Sequence, residues 1–138
     1  MKNILLLSLL LVCTFSFSQK ITAEKVSIAK ITQKKCLKKK GFTLVLKEVV
    51  SDSRCPDGLN CIWAGEVTVL MSVYKDSKLV EDNTMVFSMK NQEENKQWFC
   101  KYLPDNQKNL KSVQVLPYPN KDMPIDKKKY FIKVSYLK

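Results

Sequence analysis

The chain has 138 residues, with 24 Lys+Arg against 13 Asp+Glu, a formal net charge of +11, five cysteines and no histidine. This length predicts one domain with enough chain to bury a core. The absence of histidine excludes Ser-His-Asp and Cys-His catalysis, and three scattered glycines, Gly41, Gly58 and Gly65, form no phosphate-cradling loop.

At the N-terminus, Lys2 precedes an apolar run over residues 4–12 and a small and aromatic run over 14–18. That layout predicts a secretory signal peptide. Its apolar core is shorter than the ~20 residues of a membrane-spanning helix. Ser16 and Ser18 place the small residues that a signal peptidase reads, so cleavage is expected between Ser18 and Gln19, with residues 1–18 as leader and residues 19–138 as a single secreted β domain. The alternative is a lipid anchor at Cys13, although Val12 stands where such a site wants Gly, Ala or Ser. The expected location is secreted or periplasmic, and the chain is not expected to be an integral membrane protein. Loss of Lys2 with the leader lowers the charge to +10, a surplus that suits an anionic surface or simple solubility.

Residues 26–40 predict a strand followed by a basic turn ending at Gly41. From 42 to 50, Phe42, Leu44 and Leu46 alternate with Thr43, Val45 and Lys47, the period of a strand with one buried face. Residues 51–60 gather Ser, Asp, Pro, Gly and Asn and predict a loop. A second strand is expected over 66–74, with Val67, Val69, Met71 and Val73 on one face, then a hairpin turn over 75–78. Its return strand is expected over 79–82 or 84–89. Residues 91–96 predict a polar connection with room for one helical turn, and 98–103 a short strand halted by Pro104. Residues 110–116 predict a strand cut off by Pro117-Tyr118-Pro119, 120–129 a loop, and 130–137 a closing strand with Tyr130, Ile132, Val134 and Tyr136 on one face. About seven short strands with no long helical period predict an all-β fold, an antiparallel β-sandwich (Ig-like) or barrel.

Four cysteines follow the leader, and an even number in an exported chain implies two bridges. Cys55 and Cys61 bracket the turn residues Pro56, Asp57 and Gly58, so they are expected to pair with each other, which leaves Cys36 for Cys100. Zinc is the competing use, but five residues separate the close pair and no histidine is available. No metal and no cofactor are predicted.

The least generic segment is Asp52-Ser53-Arg54-Cys55-Pro56-Asp57-Gly58-Leu59-Asn60-Cys61-Ile62-Trp63-Ala64-Gly65-Glu66. Trp63 is expected to pack on the bridge, and Gly65 to permit a close approach or bulge before the next strand. The segment resembles a family of small exported or lipid-anchored bacterial proteins of unknown function that share D-S-R-C-P-x4-C-x-W-x-G-E. The resemblance extends to Val115-Leu116-Pro117-Tyr118-Pro119 and to Tyr130-Phe131-Ile132-Lys133-Val134, and so covers most of the mature domain. This leader lacks the lipobox of the anchored members.

The candidate binding loop comprises Asp52, Arg54, Asp57, Asn60, Trp63 and Glu66. Its structural reading is that Arg54 forks onto the carboxylate of Asp52 or Glu66 and pins the loop ends. Calcium at Asp52, Asp57, Asn60 and Glu66 is chemically reasonable, but the spacing does not match the twelve-residue calcium loop. Lys96, Trp98, Phe99, Lys101 and Tyr102 offer a faint nucleic-acid pattern, which strand alternation explains equally, and no nucleic-acid partner is expected. The function predicted is a non-enzymatic binding or structural role at the cell envelope or outside the cell, toward a protein or an anionic surface. The alternatives are a protease inhibitor presenting the Arg54 to Cys61 loop and a small His-independent hydrolase.

Overall fold

A computed structural model describes residues 24–34 and 40–138. The expected leader, with Cys13 and Ser18, and the expected mature N-terminus at Gln19 lie outside the described residues, as do Cys36 and most of the basic turn. The described chain is mostly β, in the order β1 Val26–Thr32, β2 Phe42–Asp52, β3 Val67–Lys75, β4 Lys78–Phe87, α1 Gln92–Tyr102, β5 Leu110–Leu116 and β6 Phe131–Leu137. These strands form two antiparallel three-stranded sheets, ordered β1-β6-β5 and β2-β3-β4. The all-β, sandwich-like class read from the sequence is therefore the class found, with six strands among the described residues.

Two of the period-two strands, β3 and β6, fold as read, whereas on β2 Phe42 is exposed and Val45, expected on the opposite face from Leu46, is buried with it. On β3, Val67, Val69, Met71 and Val73 are all buried, and on β6 the same is true of Ile132, Val134 and Tyr136, with Tyr130 just before the strand. The expected hairpin turn is a two-residue connection in which Asp76 and Ser77 both take positive φ (50° and 70°), the backbone twist that suits a tight hairpin. The Asp76 carboxylate accepts from the Gly41 amide at 2.9 Å. The return strand β4 covers all of 79–82 and continues through Thr84 to Phe87, two residues short of the end of the expected 84–89 segment.

Strand β2 departs from simple alternation in a way that shapes the site. It pairs Leu46 with Met71, Val49 with Val69 and Asp52 with Val67, with register shifts between Leu46 and Glu48 and between Val49 and Ser51. Each bulge inserts one residue, so the inward positions fall at 46, 49 and 52 rather than at 46, 48 and 50. Asp52, which would otherwise end an exposed loop, is thereby turned toward the core beside Val67.

The segment expected as a connection and a short strand is instead helix α1. Asn95, Phe99 and Tyr102 are its buried residues, spaced four and three apart as one helical stripe requires. The aromatic residues suggest a strand by propensity, but tertiary packing decides. Glu81 on β4 clamps the helix, accepting from Trp98 Nε1 at 3.0 Å and from the Tyr102 hydroxyl at 2.6 Å. Those two bonds hold the Glu81 carboxyl below its ordinary value. The aromatics of the faint nucleic-acid pattern are thus spent on packing, with Phe99 fully buried. One hydrophobic cluster joins both sheets and the helix, through Leu46, Val69, Met71, Phe99, Val115, Ile132 and Val134 among others.

Candidate functional site

The loop between β2 and β3 divides into a buried base and an exposed tip. At the base, Asp52 and Arg54 have side chains only 10% and 9% exposed and lie 2.5 Å apart at their closest atoms. Arg54 Nε donates to Asp52 Oδ1 at 2.8 Å and Nη2 to Oδ2 at 2.5 Å, a bidentate fork. Its remaining reach goes to the other sheet: Nη1 donates to the Val115 carbonyl at 2.6 Å and Nη2 to the Pro117 carbonyl at 3.0 Å. The Tyr130 hydroxyl donates to Asp52 Oδ2 at 2.9 Å, and the Tyr118 ring lies 4.8 Å from the guanidinium carbon. Arg54 therefore bolts the end of β2 to the end of β5, across the two sheets. Of the two expected carboxylates it selects Asp52, because the bulges aim Asp52 inward.

Charges in this clasp shift their ionisation. Burial works against the charge on Asp52, yet the hydrogen bonds from Arg54 and Tyr130 outweigh it and hold the carboxyl below its usual value. Burial, followed by the bond to Asp52, pushes the Tyr130 phenol up to about 12. An unfolded tyrosine titrates near 10. The Tyr130 contribution to stability is thus complete below about pH 10 and is lost as pH rises toward 12. Tyr130→Phe is expected to lower stability at pH 7 by about 2 kcal/mol, the net worth of a bond to a charged group. It should also flatten the fall in stability between pH 10 and 12, and urea unfolding of both proteins across that range measures both effects.

Above the base, the chain closes on itself. Ser53 N donates to the Glu66 carbonyl at 2.8 Å and Cys55 N to the Ala64 carbonyl at 2.9 Å, so residues 53–55 and 64–66 run as a short ladder. Cys55 and Cys61 form the expected disulfide, with Cα atoms 5.9 Å apart. Closing so small a loop contributes roughly 2 to 2.5 kcal/mol in the chain-entropy treatment. Asp57 ties the loop to the β5–β6 connection through its backbone: its N–H donates to the Pro119 carbonyl at 2.8 Å, and Lys121 N approaches its carbonyl at 3.5 Å. Cys100 has its Sγ 3.2 Å from the Lys108 carbonyl oxygen, and its expected partner Cys36 lies outside the described residues.

The six candidate residues do not converge. Asp52 and Arg54 are locked in the base, Glu66 is half-buried at the start of the ladder, and Asp57 and Asn60 are exposed on the loop. Trp63 corrects its expectation: it is 63% exposed rather than packed over the bridge, Ile62 is fully exposed and Leu59 is more than half exposed. The reason is geometric, since the disulfide and the ladder hold residues 59–63 away from the core cluster. An inhibitor that inserts Arg54 into a protease needs that side chain free, and it is the most restrained side chain in the loop. Among the described residues no group of three or more His, Cys, Asp or Glu gathers to hold a metal.

No known protein family, curated protein or solved structure matches the chain.

Sequence reasoning missed Tyr130 as a partner of Asp52 and Tyr118 as a partner of Arg54. Both stood in the segments to which the motif resemblance extends, Pro117-Tyr118-Pro119 and the closing strand, and that shared reach was the available signal. No helix among the described residues is long and apolar enough to cross a membrane, and an intramolecular disulfide suits an oxidising compartment.

Proposed function

We propose that this is an exported, non-catalytic binding module that meets a partner outside the cytoplasm through the tip of its bridged loop. The observation that carries the reading is the exposure of Leu59, Ile62 and Trp63 together on a segment of five residues. Large apolar side chains held in water are an interaction signal when they cluster, and tryptophan is the residue most enriched where binding energy concentrates. The tip is also preorganised, because the disulfide, the ladder and the Asp57 backbone bonds fix it before a partner arrives, which reduces the entropy lost on binding.

Export rests on the leader pattern at residues 2–18 together with the disulfide. Membership of the exported bacterial family rests on the motif through Asp52, Arg54, Cys55, Cys61, Trp63 and Glu66, whose roles divide into clasp, bridge and tip. A protein partner suits the tip better than an anionic surface, since Asp57 and Asp122 stand beside Lys121 in the two adjoining connections and leave no local excess of positive charge. The test is capture of envelope proteins by the mature protein and by an Ile62→Ser/Trp63→Ser variant. The variant is expected to keep its melting temperature within a few degrees, because neither side chain is in the core, and to lose at least tenfold in capture. Equal capture by the two proteins would overturn the tip as the contact surface.

A further inference from the structure

A separate feature lies beneath the loop, where a cavity of about 290 Å³ opens between the start of α1 and the free edge of β5. Its floor is apolar, from Val67 on β3 and Phe87 at the end of β4, and Val113 and Val115 continue the apolar lining on the β5 side. Because a water occupies ~30 Å³ in the liquid, this space matches about ten non-hydrogen atoms. That is the lower end of the range for small-molecule sites.

Three polar groups converge on it. Asn95 is buried in the helix and its amide nitrogen donates to the Val86 carbonyl at 2.9 Å. Asn95 is also one of the residues that line the cavity. Arg54, nine-tenths buried, uses four of its five N–H groups in the clasp, leaving one on Nη1 at the cavity wall. Lys96 reaches the lining from α1, and its nearest carboxylate, Glu93, is 3.7 Å away and largely exposed. Arg54 and Lys96 are the charged residues of the lining, and among the described residues no Asp or Glu joins them.

We propose that this cavity is a binding site for a small amphiphile with an apolar body of about ten atoms and an anionic head, of the alkyl carboxylate class. The body fills the space over Val67 and Phe87. The head takes the Lys96 ammonium and the spare Arg54 N–H, while a cationic head would meet these two positive groups with their carboxylate partners, Asp52 and Glu93, outside the lining. Such a site is independent of the loop tip, since Ile62 and Trp63 are not part of its lining.

Calorimetric titration of the purified protein with decanoate below its micelle concentration tests the proposal. One site is expected, with decanoate bound at least tenfold more tightly than decyltrimethylammonium, and hexanoate and hexadecanoate both weaker than decanoate. Lys96→Gln should weaken decanoate about threefold to tenfold. Two filling variants, Val113→Phe within the strand and Ala64→Phe on the rim, should each weaken it at least tenfold, and the rim variant leaves the core intact should the strand variant fail to fold. Equal binding of the cationic amphiphile, affinity that keeps climbing with chain length, or binding unchanged in a folded filling variant would each mean adsorption to the surface and overturn the site. Ile62→Ser/Trp63→Ser should bind decanoate like the unaltered protein, so failure of the cavity and failure of the tip are read separately.

Discussion

Arg54→Ala is expected to destabilise the domain by about 3–5 kcal/mol, the range found when one partner of a buried ion pair is removed. At about 4 °C per kcal/mol for a domain of this size, the melting temperature should fall by at least about 12 °C. The loss has two sources that can be separated. First, Asp52 stays behind with a 10% exposed side chain and no cation. Secondly, the carbonyls of Val115 and Pro117 lose the donors that joined the two sheets. Arg54→Lys should recover little, because an ammonium cannot fork onto a carboxylate while also reaching two carbonyls. The pH dependence carries the sign. Asp52 has a lowered pKa when folded, so its contribution is present above the unfolded value near 3.9 and is lost as pH falls through the folded value. With Arg54 gone that lowering should disappear, so the acid limb of the stability curve should flatten in the variant. Urea unfolding between pH 3 and 7 measures this, and an Arg54→Ala protein within 1 kcal/mol of the original would refute the clasp.

The fold class and strand positions were legible because their signals are local. Val67, Val69, Met71 and Val73 alternate without interruption, and residues 75–78 offered only a turn between two strands. The helix was not legible from aromatic propensity, although Asn95, Phe99 and Tyr102 carried the helical spacing, because a short segment rich in Trp, Phe and Tyr fits both periods until its packing partner is known. Glu81, seventeen residues before Trp98, is that partner. The pair Asp52 and Arg54 was legible as a candidate, but the direction in which they point was not. That depends on two bulges in β2, visible only as a register against β3. Exposure of Trp63 was hidden for a similar reason: whether a tryptophan beside a disulfide covers the core depends on where the whole loop docks, and the Asp57 bonds to residues 119–121 set that position.

Gly65→Ala should be at least as damaging as loss of Arg54, and the comparison with Gly41→Ala isolates why. Both glycines take positive φ, +84° at Gly41 and +72° at Gly65, so each substitution incurs the ~1–2 kcal/mol penalty of placing an L side chain in the left-handed region. At Gly41 a Cβ would meet nothing within 4 Å, and the penalty ends there. At Gly65 the Cβ would sit 2.0 Å from the Ser53 carbonyl oxygen and 2.7 Å from Arg54 Cα. Both obstacles are backbone, fixed by the ladder bonds from Ser53 to Glu66 and from Cys55 to Ala64. Relief therefore requires parting the ladder, and parting it moves Arg54, whose guanidinium has to reach Asp52, Val115 and Pro117 together. The expected result is a loss of more than ~4 kcal/mol, combining backbone strain with a weakened buried pair. The alkaline titration supplies a second readout: displacement of the clasp should bring the Tyr130 phenol down from about 12 toward the ordinary value in any folded Gly65→Ala protein, and leave it unchanged in Gly41→Ala. If the two alanine variants melt within a few degrees of each other, the close approach of residues 53–54 to Gly65 does not hold the loop in place.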